Sequence, residues 1–306
     1  MGLDPVPLPW GKAGLAEKIE LGRHLFFDAR LSADGTVSCA TCHDPLSAFS
    51  MSERFATGIH GQVGNRKPPT VINAVYNRTQ FWDARAATLE EQAAGPLMNP
   101  VEMGMTPALV VSTLSAIPGY QVLFRKAFGD PVVNMERVTE AIATFEKTVV
   151  SGNSAYDRFV AGDRGAMSPS QIRGIAVFRE GRCNACHEGK AFSNSAMANL
   201  GVGTDKPQPD PGRFAITHDE QDWGRFKTPG LRDVALRAPY MHDGSLKTLE
   251  DVVEFYDKGG IPNRNLDNRI RPLHLTAEKK ADLVAFLRSL NGEGWQDATA
   301  PERLPQ

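Results

Sequence analysis

What this 306-residue chain lacks narrows its class before any motif is considered. Charges interrupt every apolar run short of the roughly 18 residues that a membrane helix needs, so no membrane span is expected. Neither sign of charge is in excess: 34 Lys and Arg stand against 36 Asp and Glu, and no basic stripe gathers, so no nucleic-acid partner is expected. Glycine and proline, at 28 and 21 residues, fall short of what disorder or a fibrous repeat would show. The opening Met-Gly-Leu-Asp-Pro has no basic or apolar leader region and does not read as a signal peptide. What remains is a folded chain too long for one core, which makes two domains the natural expectation.

Cysteine is scarce as well, and its four copies are placed tellingly. Cys39 and Cys42 precede His43, and Cys183 and Cys186 precede His187. A chain with full cores does not need a disulfide framework. A zinc site would need a fourth ligand at each place, and no regular His or Cys supplies one. Cys-x-x-Cys-His instead matches covalent haem attachment, with two thiols on the haem vinyl groups and the adjacent imidazole on iron. Two c-type haems are therefore expected. Such attachment takes place outside the bacterial cytoplasm, so the chain is expected to be periplasmic, its leader already removed.

The two motifs sit in a weak internal repeat. Gly22, Leu25 and Phe26 precede the first as Gly174, Val177 and Phe178 precede the second, each set fitting one helix face. A closing helix is predicted over Met135 to Val150, with a Val138, Ile142, Phe145 and Val149 stripe. The other is predicted over Thr276 to Leu290, with Thr276 as N-cap and Gly292 as stop. Ser168-Pro169 reads as the start of the second module's first helix. The expectation is a mainly α fold of two cytochrome c-like haem domains, residues 1–164 and 165–306. Long loops, Gly58 to Thr70 and Gly201 to Gly230, would wrap the haems.

Further motifs carry a resemblance over nearly the whole chain. They are Leu-Gly-x-x-Leu-Phe-Phe-Asp at Leu21 to Asp28, Pro-Pro-Thr-Val-Ile-Asn at Pro68 to Asn73, Gln-Phe-Trp-Asp-Ala-Arg at Gln80 to Arg85, and Glu-Glu-Gln-Ala-Ala-Gly-Pro at Glu90 to Pro96. Pro-Val-Glu-Met at Pro100 to Met103, Phe-Lys-Thr-Pro-Gly-Leu-Arg at Phe226 to Arg232 and Ala-Pro-Tyr-Met-His-Asp-Gly at Ala238 to Gly244 complete the set. The chain resembles the bacterial dihaem cytochrome c peroxidase and MauG superfamily.

That resemblance implies a peroxide-reactive haem on His43 and an electron-transfer haem on His187. Glu102 and Gln92 match the family's distal acid and amide, and Trp82 the tryptophan between the haems, with Asp83 and Arg85 holding its segment. His60 lies in the loop where some members carry a histidine that caps the resting iron. At the second haem the match to the usual methionine is Tyr256, as in MauG, with Met241 the rival ligand. A hard phenolate would stabilise oxidised iron where a thioether would raise its potential. The resemblance also implies a calcium near Asn65, Arg237 and Pro239, although Lys67 stands at the matching asparagine position. Gly181 replaces the surface tryptophan of MauG, with Trp223 a substitute exit. The implied function is reaction with hydrogen peroxide to a high-valent ferryl state, followed by oxidation of a Trp or Tyr in a partner protein. The alternatives are a peroxidase fed by a small cytochrome c or cupredoxin, and a non-catalytic dihaem electron carrier.

Overall fold

The computed structural model describes residues 2–306 and is helix-rich; its one sheet pairs Met197–Ala198 with Phe226–Lys227. Each half opens and closes with a packed helix pair. Leu15–Phe27 lies against Met135–Glu146, and Pro169–Glu180 against Ala277–Arg288. Gly22 and Gly174 permit these contacts, because an added Cβ would sit 1.9 Å from the Ala141 carbonyl oxygen and 2.1 Å from that of Asp282. Burial of the facing apolar residues stabilises each pair: Leu21, Leu25, Phe26 and Phe145 in one main cluster, Val177, Phe178, Leu283 and Phe286 in another.

The helix boundaries follow local chemistry. Ser168 accepts from the Gln171 amide with Pro169 at the first turn, and Thr276 accepts from the Lys279 amide. The first closing helix ends at Glu146, short of the predicted Val150, because the Val149 carbonyl and the Ser151 backbone are engaged by Asn73. The second ends at Arg288 with Ser289 as cap. Gly292 is not its stop; its amide donates to Asp233 (2.9 Å), and an added Cβ would meet Ser151 Oγ at 2.4 Å.

The repeat runs further than the opening helices. Asn73 and Asp233, both in the left-handed region, start short 3-10 turns; Gln80 bridges Ala86 as Tyr240 bridges Leu246. Thr88 and Thr248 then cap the helices Leu89–Met98 and Leu249–Asp257. In this register Trp82 matches His242, Gln92 matches Val252 and Pro96 matches Tyr256.

Where the halves meet, the bonds are reciprocal, as in an isologous interface. The Lys67 amide donates to the His242 carbonyl at 2.8 Å, and the Lys227 amide to the Trp82 carbonyl at 2.7 Å. Gly152 and Glu293 exchange a further pair, 3.0 and 2.7 Å. Both ends of the chain cross over: Arg232 holds the Gly2 carbonyl and Lys190 pairs with Asp4, while Arg30 holds the Pro305 carbonyl. Tyr156 and Phe159, ahead of residue 164, pack on the second cluster, and Trp295 and Ala298 on the first. Among the described residues no single helix is long and apolar enough to cross a membrane.

Candidate functional site

Each Cys-x-x-Cys-His segment borders a large cavity. With its open mouth the first spans about 1390 Å³ and the second about 1470 Å³. None of the four cysteines is joined in a disulfide. Burial raises every thiol, pushing Cys42 and Cys183 up to about 11. A redox dithiol or reactive thiolate needs the opposite shift, so neither pair reads as one.

The two histidines are prepared alike. His43 Nδ1 lies 3.4 Å from the Phe49 carbonyl oxygen, and His187 Nδ1 3.1 Å from that of Phe192. A carbonyl only accepts, so Nδ1 carries the proton and the basic Nε2 is left for the cavity that each ring lines. Burial pushes both imidazoles down to about 4, which keeps them neutral and able to bind a metal. Two thiols and a free imidazole nitrogen on the wall of a spacious cavity fit a covalently held haem at each site.

The first cavity has polar walls. Gln92 projects from the Leu89–Met98 helix and Glu102 from the turn after it, and both line the cavity with Cys39, Cys42 and His43. Burial raises the Glu102 carboxyl, with the Arg85 charge opposing. Pro96, on the same helix, lines the wall with a side chain that offers no donor atom. Glu146, 4% exposed, also lines it, with Oε2 sealed and unpartnered. Its burial and the neighbouring Glu90 push it up to about 8. The sequence reading missed Glu146. The available signal was its place four residues after Ile142, on the otherwise apolar stripe of the closing helix.

The second cavity is mostly apolar. Tyr256 lines it from the Leu249–Asp257 helix, at the place Pro96 holds in the first half. Burial, then the two thiols, raises the Tyr256 phenol. A phenolate there depends on a cation beside it. Met241 lines this cavity too, but in a left-handed turn at its border with a third cavity between the halves.

Trp82 touches all three cavities. Its indole N–H donates to the Lys67 carbonyl at 2.7 Å, and its ring meets His242 edge-on at 6.4 Å. His242 in turn stacks on Phe226 at 3.6 Å. Asp83, 3% exposed, anchors the segment through Arg66 (2.5 Å) and Arg85 (2.9 Å).

Other expected site residues fall elsewhere. His60 is brought to the surface, its amide on Asp34 at 3.0 Å and its imidazole 3.6 Å from the same carboxylate; it is not among the residues lining the first cavity. Trp223 is half-buried beneath Arg264, 5.2 Å from its ring. Gly181 lines the second cavity. Asn65 lines the first, while Arg237 and Pro239 line the cavity between the halves. There the residues do not fit calcium. The buried Lys67 ammonium donates to the Met51 and Glu53 carbonyls, and Arg237 donates to those of Gly230 (2.8 Å) and Arg232 (2.9 Å). An ammonium and a guanidinium at this place offer a divalent ion no oxygen, and their charge would repel it.

Comparison with known proteins agrees with this geometry. A family model described as Di-haem cytochrome c peroxidase matches residues 16–165. The methylamine utilization protein MauG of Methylophilus methylotrophus is 38% identical over 294 residues, covering 94% of this chain and 87% of that one. A cytochrome c551 peroxidase of Nitrosomonas europaea is 37% identical over 280 residues, covering 91% and 81%. Among solved structures, a MauG-like protein associated with microbial copper homeostasis superposes with a TM-score of 0.89 at 31% identity, covering 98% and 97%. The diheme peroxidase BthA of Burkholderia thailandensis gives 0.78 at 26%, covering 94% and 89%. With two matched cavities and full-length relatives of both kinds, this chain belongs to the dihaem cytochrome c peroxidase and MauG family and is a haem-dependent oxidoreductase.

Proposed function

We propose that the chain is a periplasmic c-type dihaem enzyme that uses hydrogen peroxide to oxidise a Trp or Tyr side chain of a partner protein by long-range electron transfer. It works as two modules, the first through residue 164, with the Ala155–Val160 helix lent to the core of the second. The carrying observation is the exchange of Pro96 for Tyr256 at matched places: there one cavity has a side chain without a donor atom, the other a phenol.

When bound, haem supplies each cavity with an iron able to hold oxidising equivalents. Cys39, Cys42 and His43 would hold the first, and Cys183, Cys186 and His187 the second. Glu102, raised by burial, takes a proton from a peroxide in the first cavity and returns it to the departing oxygen. Gln92 orients that oxygen with its amide and does not titrate. Tyr256 would offer the second haem a hard oxygen donor, which favours oxidised states. Trp82, bordering both cavities, carries the electron between them. A covalent haem implies assembly outside the cytoplasm, which supports export.

The names of relatives support a second reading, since several are cytochrome c peroxidases. In it the same cavity reduces peroxide to water with electrons from a small cytochrome c or cupredoxin. One experiment separates the two. Ferric protein given one equivalent of peroxide is expected to retain two oxidising equivalents, titratable afterwards with a reductant, and to lose them in Tyr256→Met. Rapid loss in the wild type, with steady turnover of a reduced cytochrome c, would establish the second reading instead.

A further inference from the structure

Two buried lysines hold matching places in the two halves, Lys67 and Lys227, and their ammonium groups differ. Lys67, 4% exposed, gives its ammonium to the Met51 and Glu53 carbonyls. Lys227, 6% exposed, is tied by its backbone amide to Trp82, yet its ammonium has no hydrogen-bond acceptor and no carboxylate within ion-pair distance among the described residues. The side chain borders the second cavity and the one between the halves.

The wall of the second cavity sharpens the point. Its lining contains Lys227, Arg182, Arg269 and Arg271 and no aspartate or glutamate. Arg269 is committed to Asp267 through bonds of 2.8 and 2.6 Å outside that lining. In the first cavity each cation has a partner: Arg66 and Arg85 pair with Asp83, and Lys67 donates to backbone carbonyls. An unpaired ammonium at such depth is unfavourable, and burial alone pushes Lys227 down to about 8. The second cavity is therefore built for an occupant that brings negative charge of its own.

We propose that Lys227 is the cationic seat for a carboxylate of the porphyrin in the second cavity, and that its charge holds that haem's reduction potential up against the Tyr256 phenolate. Positive charge beside a redox centre stabilises the reduced state, which carries one charge more negative. Lys227 thus acts as a positioning residue, through the group it seats. The inference rests on the two-haem reading but on neither choice of substrate.

The test is spectroelectrochemistry of the holoprotein, which needs neither peroxide nor a protein substrate. Lys227→Gln is expected to shift the midpoint of the second haem downward and leave that of the first in place. Lys227→Arg is expected to keep the wild-type value, and Lys67→Gln to leave the second haem unmoved. An unchanged second midpoint in Lys227→Gln, or an equal shift of both haems, would overturn the proposal. Should that variant fail to fold, the native protein decides by resonance Raman spectroscopy. A propionate-bending band of the second haem that moves in deuterium oxide supports the seat, and an insensitive band overturns it. A protein with one redox wave would overturn the two-haem reading along with it. A clear Lys227 shift without any protein oxidation would leave this inference standing and remove only the proposed substrate.

Discussion

The two halves share a backbone and differ in the side chains that face their cavities, and that difference separates a place for chemistry from a place for storage. Both begin with a glycine-notched helix pair, both hold a neutral histidine by its Nδ1, and both send a threonine-capped helix along the cavity wall. On that helix the first half carries Gln92 and Pro96 where the second carries Val252 and Tyr256. Two substitutions in a repeated frame give one wall a neutral amide and an open face, the other an apolar surface and a closing phenol.

The largest effect is expected from giving the first half the second half's residue. Pro96→Tyr is expected to close the first cavity and abolish reaction with peroxide, measured by stopped-flow absorption. A variant that reacts at the wild-type rate would mean that Pro96 does not keep this face open. Glu102→Gln keeps shape and removes the proton carrier. It should slow the peroxide reaction by roughly 100- to 10,000-fold, the usual worth of a positioned acid–base group, with little change in thermal stability. A rate within a fewfold of wild type would remove Glu102 from the chemistry.

The paired glycines test whether the two helix pairs are packed alike. Gly22→Ala and Gly174→Ala each place a methyl against a helix backbone, at 1.9 and 2.1 Å. Each should destabilise by about 1–3 kcal/mol, the range for overpacked contacts, read from denaturant midpoints. A loss in only one half would show that the two helix pairs are not equivalent.

A change of slope is the finest test. The Glu146 carboxyl is raised from 4.5 to about 8, so the folded state binds the proton more tightly than the unfolded chain. Its stabilising contribution is complete below about pH 4.5 and is lost as the pH rises through about 8. Glu146→Gln should flatten the pH dependence of the melting temperature across that window. Parallel curves for wild type and variant would show that Glu146 does not carry this linkage.

How much of this could be read from the sequence depended on what the chemistry left visible. The Cys-x-x-Cys-His spacing, Gly22 and Gly174, and the Ser168 and Thr276 caps were legible because a local rule fixes each. The longer repeat was not, since Trp82 and His242, or Pro96 and Tyr256, share a backbone conformation and no side-chain chemistry. Glu146 and Lys227 were hidden for another reason: charged residues are mostly exposed, and only the cavities show these two to be exceptions. The early end of the first closing helix is a tertiary effect, set by Asn73 from far along the chain.

Division of labour between the halves requires the oxygen of Tyr256 to fill the second site while the first stays open. Low-temperature electron-spin and near-infrared magnetic circular dichroism spectra of the ferric protein test this directly. They should show one site with a vacant or exchangeable sixth position and one with a histidine–phenolate set, the latter alone altered in Tyr256→Phe. A histidine–methionine signature that survives Tyr256→Phe and disappears in Met241→Leu would contradict it.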